Sequence, residues 1–410
     1  MRSSGKVLTM ILAGGEGRRL YPLTRDRSKP AVPFGGRYRI IDFVLSNFIN
    51  SGLAKIKVLT QFKSDSLNRH LARGWQLSPI LEHYIDPVPA QMRTGRNWYK
   101  GTADAIYQNM NLVKDESPEY VCVFGGDHIY KMEVGQMIRQ HIDTGADLTV
   151  SAIPFPIEKS NQFGIIEVDE KLRIKGFEEK PAAPKPIPGR KDFSLVSMGN
   201  YIFSTDALIK TVEEDAQMET DHDFGKNIIT SMIDKYKVYA YDFNTNEVPG
   251  MNEEERGYWR DVGDMDQYWE TSQDLVSVSP IFNLYNNQWP IRCFYPPYPP
   301  AKFVFADAGK RIGMATDSLV SEGCIISGGQ VNRSILSPHC RINSYARVDK
   351  SVLMEGVKIG RGAKVKRAII DKRVTIPPNT EIGYNPEEDR KKFHVTEKGI
   401  VVIPKDAVFG

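Results

Sequence analysis

The sequence predicts a two-part chain of the α/β class. A Rossmann-like, mostly parallel sheet domain spans residues 1–280, and a left-handed parallel β-helix of the hexapeptide type spans 303–410. Three observations carry this. Apolar strand-like runs alternate with helical patterns through the first part, which implies a parallel sheet covered by helices on both faces. A proline-rich stretch, YPPYPPAK at 295–302, cannot sustain a helix or an interior strand and closes a linker over 281–302. Beyond it the apolar period lengthens to seventeen residues, the signature of a repeat whose coils stack.

The strand candidates are 7–12, 57–60, 120–124 and 148–153, each rich in Val, Ile, Leu or aromatics. Between them, residues 105–113 place Ile106, Met110 and Val113 at i, i+4 and i+7, the apolar face of a helix. Ligands of such sheets bind at the carboxyl ends of the strands, where the glycine loop after Leu12 and Gly125-Gly126-Asp127 after Phe124 both fall. PAAPKPIPGR at 181–190 resembles a linker, but strand signals resume over 196–203, so it reads as a stiff surface excursion within the first domain. In the repeat, Ile325, Ile342, Ile359 and Ile376 form one row, and Val331, Val348, Val365 and Ile382 a second, each six residues after a member of the first. Leu336, Leu353 and Ile370 form a third, each preceded by a β-branched residue (Ile335, Val352, Ile369). Three rows per coil describe short, nearly flat sides with Gly, Asn and Asp at the corners.

Composition narrows the function classes. The 410 residues suit two or three domains, and 41% hydrophobic with 26% charged residues is ordinary for a soluble globular protein. The net charge of +3 argues against nucleic acid as a partner. No apolar run approaches the ~18–20 residues of a membrane span, so no membrane partner is expected. MRSSGK leads directly into a predicted strand, so no targeting peptide is expected. Cys122, Cys293, Cys324 and Cys340 lack metal spacing and are too few for a disulfide scaffold, so a reduced cytoplasm is expected.

The most informative stretch is ILAGGEGRRLYPLTRDRSKPAVPF at 11–34. A strand opening into Gly14-Gly15 lets backbone N–H groups approach phosphate oxygens, because no Cβ stands in the way. Arg18, Arg19, Arg25, Arg27 and Lys29 add positive charge, so a nucleoside triphosphate is the expected ligand. A dinucleotide fingerprint is absent because Leu20 stands where a third glycine would, and no Gly-Lys-Ser/Thr of a Walker loop occurs. Without the cations, the glycines alone would equally describe a tight βα turn.

This segment resembles the signature of the sugar-1-phosphate nucleotidyltransferases, LAGGxGxRLxPLT followed by KP. RIIDFVLSNFINSG (39–52), WYKGTADAIYQN (98–109), GGDHIYKM (125–132), EEKP (178–181), SMGNYIF (197–203), HDFGKN (222–227) and YWRDVG (258–263) then occur in the order of its ADP-glucose pyrophosphorylase branch. The resemblance covers essentially the whole chain. It implies that a glucose 1-phosphate oxygen attacks the α-phosphorus of ATP, giving ADP-glucose and pyrophosphate for glycogen synthesis. It also implies a cytoplasmic homotetramer regulated by anionic small molecules, with the β-helix serving assembly and regulation.

Four or more anionic charges converge in such a reaction, so positioning and electrostatics carry it. Asp127 and Asp261 each lie near glycine where a carboxylate can face a crevice, and such oxygens suit Mg²⁺. The residues alone equally allow turn or helix caps; the resemblance favours the metal. Arg19 and Lys29 are candidate cations for the β- and γ-phosphates, against the plainer reading of solvated surface charges. By resemblance, Leu12, Ala13, Gly14, Gly15, Gly17, Gly101 and Thr102 bind the nucleotide. Lys180 holds the sugar phosphate and Glu179 the sugar hydroxyls. Tyr99, Gly164 and Ser197 match glucose 1-phosphate positions, with Tyr201, Asp223 and Trp259 as further candidates. Pro181 biases Lys180 toward an extended conformation. Asp104 reads as a helix cap more than a partner of Lys29, and His128 as a hydrogen-bonded neighbour of Asp127 rather than a base.

Three other readings compete. A related transferase could use UTP, dTTP or GTP, although residues 30–36 and 39–52 favour the ADP-glucose branch. A non-catalytic regulatory subunit should have lost some of Arg19, Lys29, Asp127, Lys180 or Asp261, and none is lost. An acyltransferase β-helix would need more than the single histidine within the 325–382 repeat, His339, and a long inserted loop. Asp26, between Arg25 and Arg27, is a carboxylate where some relatives carry lysine, and it repels a sugar bisphosphate.

Overall fold

The computed structural model describes residues 6–294, 296–307 and 311–409. Residues 1–5, on which the reading of the N-terminus rested, and Tyr295 of the proline-rich stretch lie outside the described residues.

Nine strands form the central sheet: β1 (Val7–Leu12), β2 (Lys55–Thr60), β3 (Tyr84–Pro89), β4 (Tyr120–Gly125), β5 (Leu148–Pro156), β6 (Gly164–Val168), β7 (Ile174–Glu179), β8 (Phe193–Ser204) and β9 (Val238–Asp242). Their order is β7-β6-β8-β4-β1-β2-β3, with β5 joined to β8 and β9. Ladders β1·β2, β1·β4, β2·β3 and β5·β9 are parallel. β8 opposes β4, β5 and β6, and β7 opposes β6. Only β7 and β8 therefore run against the rest. VLTMIL and YVCVFG are almost continuously apolar because both faces are covered. On β1, Val7 and Ile11 enter one apolar layer and Leu8 and Met10 the other.

The helix expected over 105–113 is interrupted, running Thr102–Tyr107 and then Met110–Glu116. The Asn109 amide donates to Ala105 O (2.8 Å) and Tyr99 Oη (2.9 Å) at the break, competing with the backbone ladder. Ile106, Met110 and Val113 still enter one apolar layer. Residues 181–190 form a mostly exposed turn between β7 and β8, closed by an Ile187–Arg190 bridge.

Residues 281–294 carry neither helix nor strand, yet they are not a loose tether. Phe282 is fully buried. Trp289 Nε1 donates to Asn47 Oδ1 (3.2 Å), the Asn50 amide to Pro290 O (2.9 Å) and Arg292 N to Ser46 Oγ (2.8 Å). The segment is strapped along the helix Ile41–Asn50.

The C-terminal part is a β-helix with three stacked faces. The first runs from Lys302–Val304 to Thr375–Ile376, the second from Met314–Thr316 to Glu381–Ile382, and the third from Leu319–Val320 to Val401–Ile403. His394–Val395 adds one antiparallel strand to the third face. The first apolar row needs a correction: Ile342 stacks on Ile326, which is buried, and not on Ile325. The chain goes from Ile326 to Val331 in five residues, but from Ile342 to Val348 in six. Gly328 and Gly329 make that shorter corner possible. Gly328 has φ +71°, and a Cβ on Gly329 would lie 2.7 Å from Ile342 Cγ2.

The doublets of the third row serve two cores. Leu336, Leu353 and Ile370 fill the β-helix interior. Ile335, Val352 and Ile369 point outward and join Leu20, Leu23, Phe34, Tyr268 and Phe282 of the first part in one apolar cluster. Fully burying one such side chain is worth roughly 1.5–3 kcal/mol. Beside that cluster, the Arg27 guanidinium donates to both oxygens of Asp371 at 2.9–3.0 Å, and both residues are buried.

Candidate active site

A cleft of ≈ 690 Å³ opens at the carboxyl ends of β1 and β4 and is lined by the nucleotide, sugar-phosphate and metal candidates named from the sequence, with Arg18, Arg19 and Lys29 of the basic loop, whereas Arg25 and Arg27 lie outside it. Gly126 N donates to Leu12 O (3.0 Å) and Ala13 N to Leu59 O (2.9 Å), tying the glycine loop to its neighbouring strand ends. Gly17 has φ +64°, and a Cβ there would lie 2.8 Å from Lys29 Cβ. Glycine at that position lets the loop close over the lysine.

Lys29 is the centre of the charged wall and is only 7% exposed, which rules out the solvated reading. Its Nζ lies 2.9 Å from Asp127 Oδ2 and 2.9 Å from Asp261 Oδ1, and it donates to Asp261 O at 2.7 Å. Burial alone would lower the Lys29 pKa, but the two carboxylates outweigh it and hold the ammonium charged. Burial would likewise raise both aspartates; Lys29, with His128, instead holds them below the ordinary 3.8. Asp261 reaches this point because Trp259–Arg260 pairs antiparallel with Ile129–Tyr130, just beyond Asp127. The Arg19 side chain, 56% exposed, lies at the rim, donating to Gln162 Oε1 (3.0 Å) with Asp261 Oδ2 at 3.5 Å.

Asp127, His128 and Asp261 each bring a ligand atom within 4.8 Å of the others. Two carboxylate oxygens in a site that already demands a cation fit Mg²⁺, while the imidazole is a softer neighbour. His128 neighbours Asp127 (Nε2–Oδ1 3.5 Å), as the sequence suggested, and lies still closer to Asp261 (3.3 Å). Its ring packs edge-on against Trp259 at 5.1 Å.

Glu179 and Lys180 lie on the opposite side, at the end of β7. Lys180 is not extended: its φ is +50°, because β7 stops at Glu179 and the chain turns at once into the proline run. Its N–H donates to Phe163 O (3.1 Å), and Nζ rests 2.9 Å from Glu179 Oε1, with the side chain 62% exposed. A Cβ on Gly164 would meet the Phe177 ring at 2.3 Å and Glu179 Oε2 at 2.9 Å, so its absence makes room for that carboxylate. Ser197 Oγ accepts from Gly199 N (3.2 Å). Tyr201 is buried against Phe224, which pushes its phenol pKa up. Burial does the same to half-buried Tyr99. Trp259 Nε1 is buried without a hydrogen-bond partner.

Asp223 lines the cleft with both oxygens engaged. Oδ1 accepts from Gly225 N (2.9 Å) and Lys226 N (3.2 Å), and Oδ2 accepts from Thr102 Oγ1 (3.0 Å). A Cβ on Gly101 would lie 2.2 Å from Asp221 O, so this glycine lets the two segments meet. Asp104 is not the N-cap, which is Gly101, but lies in the first turn of the helix, where its Oδ2 accepts from Lys100 N (2.8 Å) and Gln108 Nε2 (2.9 Å). Gln61, Gln162 and Phe163 also line the cleft and were not anticipated. Gln61, which accepts from Tyr99 N (2.7 Å), directly follows β2, so the strand-end rule could have found it. Gln162 and Phe163 carry no such signal.

Comparison with known proteins fits this geometry. The family model described as "Nucleotidyl transferase" matches residues 8–278, and "GlmU-like, C-terminal hexapeptide" matches 299–403. A glucose-1-phosphate adenylyltransferase of Anaeromyxobacter sp. (strain Fw109-5) is 59% identical over 403 residues, covering 98% of each chain. The chain belongs to the glucose-1-phosphate adenylyltransferase family. Members from Vibrio parahaemolyticus serotype O3:K6 and Photobacterium profundum are each 52% identical, over 98% and 99% of this chain and 99% and 100% of their own. Family membership makes the chain a nucleotidyltransferase, and the cleft is its candidate active site. No helix among the described residues is long and apolar enough to cross a membrane.

Proposed function

We propose that the chain transfers the adenylyl group of ATP to α-D-glucose 1-phosphate, giving ADP-glucose and pyrophosphate for glycogen synthesis. The observation that carries this reading is the arrangement of one cleft. A glycine loop and a lysine held by two carboxylates form one wall, and a carboxylate–lysine pair from β7 faces it.

A glucose 1-phosphate oxygen attacks the α-phosphorus of ATP; the new P–O bond forms as the bond to the β-phosphate oxygen breaks. The attacking phosphate is already ionised near neutral pH, so no general base is needed. Backbone N–H groups of Gly14 to Gly17 face the triphosphate, and Arg19 and Lys29 offset charge on the β- and γ-phosphates. Lys180 takes the sugar phosphate and Glu179 accepts from sugar hydroxyls. Tyr99, Ser197, Tyr201 and Trp259 shape the sugar end, and Asp223 positions Thr102 and the 224–229 segment. Asp127 and Asp261 would hold Mg²⁺, which when bound supplies positive charge to the triphosphate and the leaving pyrophosphate.

The same reading includes a cytoplasmic homotetramer that responds to anionic small molecules, with the β-helix in assembly and regulation. The local structure changes one expectation: Arg25 and Arg27 are engaged by Asp26 and Asp371, so an anion would have to compete for them. ³¹P NMR of the purified chain with ATP, glucose 1-phosphate and Mg²⁺ tests the function. ADP-glucose and pyrophosphate should appear in equal amounts; AMP without ADP-glucose would contradict the reading.

A further inference from the structure

We propose that Lys29 is the resident cation of the two-carboxylate site, competing with the divalent ion, and that metal enters as the triphosphate draws the lysine away. This rests on the functional reading above and deepens it. The geometry is that of an occupied cation site. An ammonium has three N–H donors, and three acceptors stand around Lys29 Nζ: Asp127 Oδ2 (2.9 Å), Asp261 Oδ1 (2.9 Å) and Asp261 O (2.7 Å). Every proton has a partner, so the unliganded state is complete as it stands.

The same two carboxylates supply the oxygens of the candidate metal cluster. Mg²⁺ would draw such oxygens to ~2.0–2.1 Å, closer than the 2.9 Å at which they hold Nζ, so the ion and the ammonium would compete for the same two carboxylates. Lys29 must move for the metal to enter, and its backbone is held in the Lys29–Ala31 turn by Pro30 after it and by Val32 N donating to Lys29 O (3.0 Å). The four-carbon stem is therefore the part that moves, and the glycine loop lining the same cleft is the nearest place for its charge. A triphosphate there offers a new partner for the ammonium just as a divalent ion takes over the carboxylates. Metal and nucleotide binding are thereby coupled through one side chain.

The probe is Mn²⁺ alone, titrated into the full-length protein without nucleotide and followed by the EPR signal of free Mn²⁺. Lys29→Met keeps most of the bulk and removes the charge. It should bind Mn²⁺ at least tenfold more tightly than the wild type, and its thermal midpoint should rise with Mn²⁺ while that of the wild type stays unmoved. Equal or weaker Mn²⁺ binding by Lys29→Met overturns the proposal. If the variant folds only when Mn²⁺ is present, the ion has replaced the lysine, which supports it. If the variant does not fold at all, wild-type crystals soaked in Mn²⁺ decide. No anomalous peak between Asp127 and Asp261 without ATP, and a peak with Lys29 displaced when ATP is present, supports it; a peak without ATP beside an unmoved Lys29 overturns it. ADP-glucose synthesis with Mn²⁺ affinity indifferent to Lys29→Met would sink this inference and leave the functional reading intact. The expected Mn²⁺ behaviour without any ADP-glucose synthesis would do the reverse.

Discussion

Asp127 and Lys180 stand on opposite sides of the cleft, and each supports a prediction that separates charge from shape. Asp127→Asn retains size and hydrogen bonding but removes one of the two charges facing Lys29. Turnover should fall about a thousandfold, the equivalent of ~4 kcal/mol, with the circular dichroism spectrum unchanged. Near-normal turnover at saturating Mg²⁺ would contradict the assignment. Lys180→Gln should raise the KM for glucose 1-phosphate roughly ten- to a hundredfold, with kcat and the KM for ATP little changed. In the unliganded state its ammonium rests on Glu179, so the phosphate has a carboxylate to displace. An equal rise in both KM values would assign the lysine to the wrong substrate. Asp127 was visible because it follows Gly-Gly at a strand end, whereas Lys180 was singled out by the family resemblance of residues 178–181. The sequence could not show that Lys29 is buried, because Asp261 returns to it from 232 residues away.

Single elements show both the reach and the limit of pattern reading. The strand runs were legible because burial on both faces leaves an uninterrupted apolar signature. The break at Asn109 was not, since it depends on where one amide side chain finds partners. The five-residue corner at Gly328-Gly329 was hidden by the adjacent isoleucines at 325 and 326, either of which satisfies the row. The helix Val134–Asp143 carries a pH-sensitive element. His141 is buried, with Nδ1 2.8 Å from Thr149 Oγ1 and Asp147 only partly offsetting the desolvation, so its pKa falls from 6.5 to about 4. It stays neutral in the fold while the unfolded chain binds a proton below 6.5. Its contribution is therefore present above pH 6.5 and lost as pH falls toward 4, on the order of 3 kcal/mol. The drop in thermal midpoint between pH 7 and pH 4.5 should be smaller for His141→Asn than for the wild type. An identical drop would mean the imidazole takes up its proton without strain.

Across the whole molecule, the two parts share a core. Ile335, Val352 and Ile369 lie against Tyr268 and Phe282, and Arg27, two residues from Lys29, is fixed by Asp371 of the β-helix. The doublets that the sequence presented as part of the repeat thus also dock the catalytic part, a role no period could reveal because the partner surface lies elsewhere in the chain. Removing residue 301 onward would expose that apolar face and strip Arg27 of Asp371, the carboxylate that fixes it. The truncated chain should aggregate, and any soluble fraction should bind ATP more weakly. A monodisperse fragment with full ATP affinity, measured by light scattering and calorimetry, would contradict the shared-core account.

The function makes one demand above the others: adenylyl transfer must require both substrates together. Pyrophosphate release by the full-length chain with Mg²⁺, measured with ATP, UTP, dTTP and GTP in the presence and absence of glucose 1-phosphate, tests it most directly. The account predicts rapid release with ATP and glucose 1-phosphate, at least tenfold slower release with the other three nucleotides, and none from ATP alone. Preference for another nucleotide, or release from ATP that does not depend on glucose 1-phosphate, would contradict it.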